Sequence, residues 1–503
     1  MNARLPLVLL TGLALPFVHK PVNIDDTNFL AMARAAARDP WLPHDFLINW
    51  GGQTERAFDV LSNPPGIALW LAPVADLPAL WMHLWMLPWL VLSVWGAWKI
   101  GQRTSGKPNA AALLIAGAPV AMLATHAFTP DLPLLAVSLA GIAGLLDDRK
   151  PMEDRWPSAL CLGAAALFRY SGIALIPLAL LWPLLHGERR AALKLTAAAT
   201  APLALLMAHD LLAYGSIHML AMVGFQSTAN AGADLAHKLV SNLAYLGGTA
   251  ALPLLAIARP GRTIIGAVVG GAIGHLVISA VGGATPIWVG TAFAAAGGAS
   301  LSVVFKRPDR IHIFLAAWLL LGLGLLMSLR FSAARYWIPF FAPAVLIALR
   351  TCPRWLVGLT IPATLSLGLA LSADDLDLAN TQERAASRAM GAGIGKISGH
   401  WGFQHHLEAA GWTPVEEDQT LAPKTWIAIS KVAWPQLPSN TCWDFMEVLP
   451  LGDPRPGLRV LSQEAGVNIH GNFIAGPPSD RVYAPWGLAE DPMDQLTIRR
   501  TCP

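Results

Sequence analysis

Residues 78–100 read PALWMHLWMLPWLVLSVWGAWKI, a run whose single charge, Lys99, lies next to its end. As a helix this run would rise roughly 34 Å, enough to cross a hydrocarbon core of about 30 Å. No soluble helix needs all of its faces apolar over such a length. The same pattern recurs along the chain, at 4–18, 109–126, 132–147, 157–169, 171–186, 193–213, 244–258, 263–282, 285–304, 311–329, 336–350 and 355–372. With 78–100 these make thirteen candidate spans. The pair 157–169 and 171–186 reads equally as a hairpin of short helices or as one long tilted helix.

Composition agrees. Of 503 residues, 54% are apolar and 13% charged, about half the charged share of an ordinary soluble domain. Such a chain cannot cover a soluble surface, which excludes a soluble enzyme, a disordered protein and a coiled coil. No alternating barrel pattern appears. The net charge of +3 carries no nucleic-acid signal, because the basic residues fall in short loops. The first apolar run, after Arg4, is read as a retained first span, because His19-Lys20-Pro21 follows it in place of a small-residue cleavage site.

Arg103 and Lys107; Arg149, Lys150 and Arg155; Arg189, Arg190 and Lys194; Arg259 and Arg262; Lys306, Arg307 and Arg310; and Arg350 and Arg354 occupy alternate loops. With thirteen spans all of them share one side with Arg4, which the positive-inside rule makes cytoplasmic. The long polar stretches then lie outside: 19–77, 214–243 and 373–503. This predicts an all-α polytopic membrane domain over 1–372 with outer amphipathic helices in 19–77, and a small α/β or α+β extracytoplasmic domain over 373–503. In that tail, 381–390 and 402–410 read as helix and Trp426-Ile427-Ala428-Ile429 as strand. Cys442 and Cys502 both fall there, on an oxidising side where a disulfide can form or not. Cys161 and Cys352 read as packing residues. The tryptophans between Trp41 and Trp98 read as an interfacial belt, or in part as the lining of a groove for a lipid chain or sugar face.

Chemistry-bearing residues collect on the outer side. Asn23-Ile24-Asp25-Asp26-Thr27-Asn28-Phe29 opens a helix with two carboxylates; they serve as helix-start residues or as a general base at the membrane surface. Trp41-Leu42-Pro43-His44 and Asn63-Pro64-Pro65 follow. Thr129-Pro130-Asp131-Leu132-Pro133-Leu134 sets a carboxylate at the end of a span, costly unless it has a partner or a cavity. Arg335-Tyr336-Trp337-Ile338-Pro339 comes late in the membrane domain. Lys20, Arg169 and His218 are further outer cations or polar groups; the lone His218 and Arg335 also read as ordinary interfacial residues. Asp374-Asp375-Leu376-Asp377 and His400-Trp401-Gly402-Phe403-Gln404-His405-His406 read as surface or domain-entry features.

In their order and spacing these motifs resemble the glycosyltransferase C superfamily, and within it the lipid A aminoarabinose transferases and protein O-mannosyltransferases. The resemblance is strongest over about residues 20–175. Asp25-Asp26 stands where the family carries Asp-Glu, and Asn63 where the aminoarabinose branch carries Lys before Pro-Pro. The resemblance implies a bacterial inner-membrane enzyme that moves a sugar, with inversion, from a polyprenyl-phosphate donor to a glycolipid, glycan or protein acceptor at the outer face. It implies Asp25 as general base, with Asp26 and Asp131 beside it. Arg335, Tyr336, Arg169, His218 and Lys20 become candidates for the donor phosphate. Trp41, His44, Asn63, Pro64 and Pro65 become candidates for a substrate groove. No nucleotide motif is present, and no tight metal-ligand spacing; carboxylates near His44 or His126 leave a divalent metal open. A secondary transporter of a small solute or lipid-linked intermediate is the competing reading, and a non-catalytic assembly factor a third. The sugar and the acceptor are not encoded in any readable motif.

Overall fold

Proline and glycine decide where the apolar runs stop being helix. The computed structural model describes residues 3–229, 234–249, 255, 260–305, 309–329, 331–440, 442–452, 456–472 and 481–503. Among them six helices are long and apolar enough to cross a bilayer: Ala79–Thr104, Arg189–Tyr214, Pro260–Val281, Ile287–Val304, Arg310–Ser328 and Arg354–Met390. A seventh crossing results if Pro108–Ala116 and Pro119–Thr125, bent by 65° at their junction, are one span. All thirteen expected segments carry helix, but several are short or broken. Pro119 cannot donate the hydrogen bond that would continue the preceding helix. The segment expected at 336–350 begins as a 3-10 turn, Ala334–Trp337, and becomes α-helix only over Ala342–Leu349. Runs 157–169 and 171–186 are two pieces, Trp156–Phe168 and Tyr170–Leu184, separated by Arg169 in an extended conformation (φ −156°, ψ 134°). The segment expected at 244–258 sits on a helix that starts earlier, Leu235–Thr249, and its last part lies outside the described residues.

The basic loops meet at one end of the bundle. Lys107 Nζ donates to the carbonyls of Leu349 (2.6 Å) and Cys352 (2.5 Å). Arg103 pairs with Asp147 at 2.5 Å and Arg350 with Asp309 at 2.5 Å. Arg155 caps the carbonyl of Leu145. The helix Asp131–Leu145 runs from this end to the other, so Asp131 lies at the far end from Asp147. Arg259, Lys306 and Arg307 lie outside the described residues.

The tail forms a five-stranded mixed sheet in the order Thr413–Pro414, Lys396–Ser398, Trp426–Ser430, Asp494–Thr501, Trp443–Leu451. The first three strands run parallel and the last two pair antiparallel. One face buries Ile397, Ala428, Leu496 and Ile498 against Phe403 and Leu407 of the helix Trp401–Glu408 and against Ala385, Ala386 and Ala389. Cys442 and Cys502 are disulfide-bonded, with Cα atoms 5.6 Å apart. The boundary drawn at 372/373 falls inside a single unbroken helix, Arg354–Met390. Residues of the tail, among them Trp401, Val460, Leu461 and Ile469, also join the main helical core. The tail is therefore built into the helical region as well as hung from it.

Candidate active site

The two adjacent carboxylates separate. Ile24 takes a left-handed backbone (φ 49°), a conformation costly for a β-branched residue, and this turn sends Asp25 and Asp26 in different directions. Asp25 occupies the N-cap position of the helix Asp26–Arg38, yet its side chain makes no cap. It pairs instead with Arg335, Oδ2 to Nη2 at 2.5 Å. Asp26 turns inward, where Oδ1 accepts the Phe128 backbone N–H at 2.7 Å and Oδ2 that of Asn23 at 3.4 Å. Burial pushes the Asp26 carboxyl up to about 7, against the opposing pull of Lys20 and of those two N–H groups.

Asp131 opens the helix Asp131–Leu145 and is ion-paired with Arg169. The extended backbone at Arg169 ends its helix there and carries its guanidinium over the Tyr336 ring, 4.3 Å from the centroid. The Arg335 guanidinium approaches the same ring at 5.6 Å. Asp131, Arg169, Tyr336, Arg335 and Asp25 thus form one continuous chain of charge and aromatic contacts. Burial opposes the Arg335 charge, but Asp25 and, farther off, Asp131 outweigh it and hold the guanidinium charged. Its Nε is buried with no hydrogen-bond partner.

Two cavities meet at this chain. A small one of about 30 Å³ is lined by Lys20, Asp25, Asp26, Asp131, Arg335, Asp375 and His470, with Val120, Leu123 and Ala124. A larger cleft of about 130 Å³ is lined by Asp25, Asn28, Trp50, Asn63, Arg169, Arg335, Tyr336, Trp401, Trp434, Asn468 and His470. Ile24, Asp25, Arg335 and His470 are common to both and form the wall between them. Burial, then the Arg335 and Lys20 charges, keep the His470 imidazole well below its ordinary pKa and hence neutral.

Of the residues singled out in the sequence, the structure gathers Asp25, Asp26, Asp131, Arg335, Tyr336, Arg169 and Asn63 around these cavities. Lys20 lines the smaller cavity but is not a free cation. It is buried and paired with Asp375 at 2.5 Å, and Asp375 with Asp26 holds its pKa above the ordinary value despite burial. His218 stands elsewhere, bonded to the Tyr170 hydroxyl (2.8 Å) and the Leu61 carbonyl (2.9 Å) and 4.9 Å from the His44 ring. His44 is buried and held near pKa 3 by burial and by His218, with Nε2 on the Asn63 carbonyl at 3.1 Å. Neither imidazole lines either cavity, because both are consumed in fixing the loop that carries Asn63. Pro64 and Pro65 are buried and line neither cavity, with Pro65 as the N-cap of the helix Gly66–Leu71. Trp41 is 52% exposed and packs on His209, away from the cleft. Among the described residues no group of three or more His, Cys, Asp or Glu is placed to hold a metal ion.

The sequence reading missed contributions from the tail. Asp374 and Asp375 are not surface residues: both are buried, Asp375 against Lys20 and Asp374 against Arg459 (3.2 Å) and the Val460 N–H (2.6 Å). The available signal was their position on the helix that continues the last apolar run, where a carboxylate without a partner is costly. Trp401 belongs to a run expected at the surface or domain entry but is buried in the main core; Trp434, Asn468 and His470 had no local signal. Their place at the site depends on how the tail folds back.

No family model matches the chain, and no curated protein matches it. Among solved structures it is similar to ArnT from Cupriavidus metallidurans bound to undecaprenyl phosphate, at 15% identity and a TM-score of 0.40, over 84% of this chain and 92% of that one. The apo state of the same ArnT aligns at 14% identity and a TM-score of 0.35, over 80% of this chain and 84% of that one. The arabinofuranosyltransferase AftD from Mycobacteria aligns at 13% identity and a TM-score of 0.41, over all of this chain and 40% of that one.

Proposed function

We propose that this protein is a polytopic membrane glycosyltransferase that moves a sugar from a polyprenyl-phosphate carrier to an acceptor hydroxyl, with Asp25 as general base. The observation that carries the reading is the Asp25–Arg335 pair on the wall between two cavities, with Arg169 and Tyr336 alongside. A lipid-phosphate leaving group gathers negative charge as its bond to the anomeric carbon breaks. Preorganised cations in a site shielded from water stabilise that charge, and Arg335 and Arg169 are such cations. Entry of the phosphate competes with Asp25 for Arg335 and frees the Asp25 carboxylate. The acceptor oxygen then bonds to the anomeric carbon, the carbon–oxygen bond to phosphate breaks with its electron pair leaving on the lipid phosphate, and the acceptor proton passes to Asp25. Attack opposite the leaving group inverts the anomeric centre. The chemistry as written needs no metal.

The basic end of the bundle corresponds to the cytoplasmic side of a bacterial inner membrane in this reading, and the cleft and tail to the periplasmic side. The donor is a hexose or pentose on a polyprenyl phosphate; the acceptor is a glycolipid, glycan or protein. The test is mass spectrometry of envelope glycolipids, glycans and proteins from cells with and without the gene, with Asp25→Asn as a third arm. A hexose or pentose mass absent from both the deletion and the Asp25→Asn cells supports the reading. Unchanged glycoforms in the deletion, or uptake of a labelled solute by proteoliposomes, overturns it.

A further inference from the structure

Five non-glycine residues among those described have a left-handed backbone: Ile24 (φ 49°), Trp401 (63°), Asp418 (59°), Lys424 (61°) and Trp434 (53°). Aspartate tolerates this region; bulky and β-branched residues do so only when the surrounding structure forces them, and such residues cluster at functional sites. Ile24, Trp401 and Trp434 all line the larger cleft. At these positions the chain accepts strain, which sets the Trp401 and Trp434 indoles and, just after Ile24, the Asp25 carboxylate against the same space.

The cleft also holds polar atoms without partners. Asn28 is buried and its Oδ1 makes no hydrogen bond, and the buried Arg335 Nε makes none either; His470 Nε2 makes no hydrogen bond and has the Asp375 carboxylate at 3.8 Å. Buried polar atoms are nearly always satisfied, so the unpaired Asn28 Oδ1 and Arg335 Nε on one cavity call for a polar ligand. The indole wall is itself braced. The His400 ring lies 5.7 Å from Trp50 and 6.2 Å from Trp434, and is clamped by Gln404 Oε1 (2.9 Å) and Gln436 Nε2 (2.6 Å).

From this juxtaposition we infer that the larger cleft, beyond the Arg169–Tyr336–Arg335 edge that meets the donor phosphate, is a saccharide-acceptor subsite, with Trp401 and Trp434 of the tail as its stacking wall and Asn28 as a hydroxyl-positioning residue. A sugar ring has one face of C–H bonds, which suits the negative face of an indole, and a rim of hydroxyls, which suits amides and a guanidinium. An acyl chain would leave Asn28 and Arg335 Nε unsatisfied, and a peptide has no flat C–H face to match two indoles. Asn28 stands three residues after Asp25 on the same helical face. Its free oxygen is thus placed for a hydroxyl adjacent to the one that Asp25 deprotonates, which favours the acceptor over the donor sugar as occupant. The inference rests on the proposed transferase reading and names its acceptor class.

The full-length protein in nanodiscs is tested by saturation-transfer NMR with trisaccharides of glucose, mannose, galactose and arabinose, and separately for undecaprenyl phosphate binding. Transfer to the ring protons of at least one trisaccharide is expected. It should fall at least tenfold in Trp434→Ala and Asn28→Ala and be retained in Trp434→Tyr, while all three variants keep the wild-type melting temperature and undecaprenyl phosphate binding. If undecaprenyl phosphate binds and no trisaccharide does, the acceptor assignment fails and the transferase reading stands. Displacement of the trisaccharide by a hexose or pentose 1-phosphate makes the cleft a donor-sugar site and also overturns it, as does transfer to serine- or threonine-containing tetrapeptides in place of saccharides. A folded protein that binds neither lipid phosphate nor saccharide overturns both readings.

Discussion

Asp25 Oδ2 and Arg335 Nη2 lie 2.5 Å apart, in a stretch of wall that two cavities share. The pair is only partly shielded, with side chains 21% and 16% exposed, so it can be opened by a ligand without the desolvation cost of a sealed ion pair. Replacing Asp25 by Asn keeps a hydrogen-bond acceptor for Arg335 but removes the base. General-base catalysis contributes roughly 10²–10⁴-fold. Asp25→Asn should therefore lower turnover by that factor at saturating donor, with a melting temperature close to the wild type. Turnover within threefold of wild type would remove Asp25 from the chemistry.

Arg335 and Asp25 should be asymmetric in binding. Arg335→Gln loses the charge that would meet the donor phosphate, so binding of undecaprenyl phosphate, read by thermal shift or calorimetry, should weaken by about 1.5–3 kcal/mol, the usual range for a hydrogen bond to a charged group. Asp25→Asn should bind the lipid phosphate as tightly as wild type or more so, because a neutral amide competes for Arg335 more weakly than a carboxylate. Equal weakening in both variants would contradict the proposed exchange.

The Asp131–Arg169 pair is more deeply buried, at 3% and 13% side-chain exposure. Removing one partner of a buried pair leaves a stranded charge and costs roughly 3–5 kcal/mol. Arg169→Met should lower the melting temperature sharply, and adding Asp131→Asn should recover at least half of the loss. A double-mutant cycle with no coupling would mean that the pair does not hold the two helix ends together.

Asp26 makes stability depend on pH. Its carboxyl titrates near 7 in the fold against 3.8 when unperturbed, so between those values the folded chain holds more protons than the unfolded one. Stability then falls as pH rises from about 4 to about 7 and is level above that. His44, whose pKa is pushed down to about 3, acts in the opposite sense below about 6.5, so the informative comparison is wild type against Asp26→Asn at each pH. The variant should gain relative stability as pH rises from 5 to 8, in melts monitored by circular dichroism. A constant difference across that range would show that Asp26 does not titrate there.

Gly402 lets the tail approach the site. A Cβ there would sit 2.6 Å from the Val22 carbonyl oxygen and 3.0 Å from Asn23 Oδ1, and a backbone carbonyl cannot swing away as a side-chain tip can. Overpacking of this kind costs about 1–3 kcal/mol. Because residues 22–24 lead directly into Asp25, Gly402→Ala should reduce turnover at least tenfold along with a lower melting temperature. Normal turnover in a destabilised Gly402→Ala protein would separate the tail's contact from the positioning of Asp25.

Sequence alone determined the helical membrane character, the thirteen apolar segments, the clustering of basic loops and the candidacy of Asp25, Asp131 and Arg335. Those properties are local: run length, charge spacing and the cost of a carboxylate at the end of an apolar helix can each be read within some twenty residues. It overestimated continuous spans where Pro119 and the extended Arg169 interrupt the helix. Tertiary structure decided which cation meets which carboxylate. Lys20 is taken by Asp375 and Arg169 by Asp131, which leaves Arg335 to Asp25. It also decided that Trp401, Trp434 and His470 from the tail complete the cleft. Those partners are far apart in the chain, and an ion pair's choice among several opposite charges is fixed by distances of a few ångströms that only the packed fold sets.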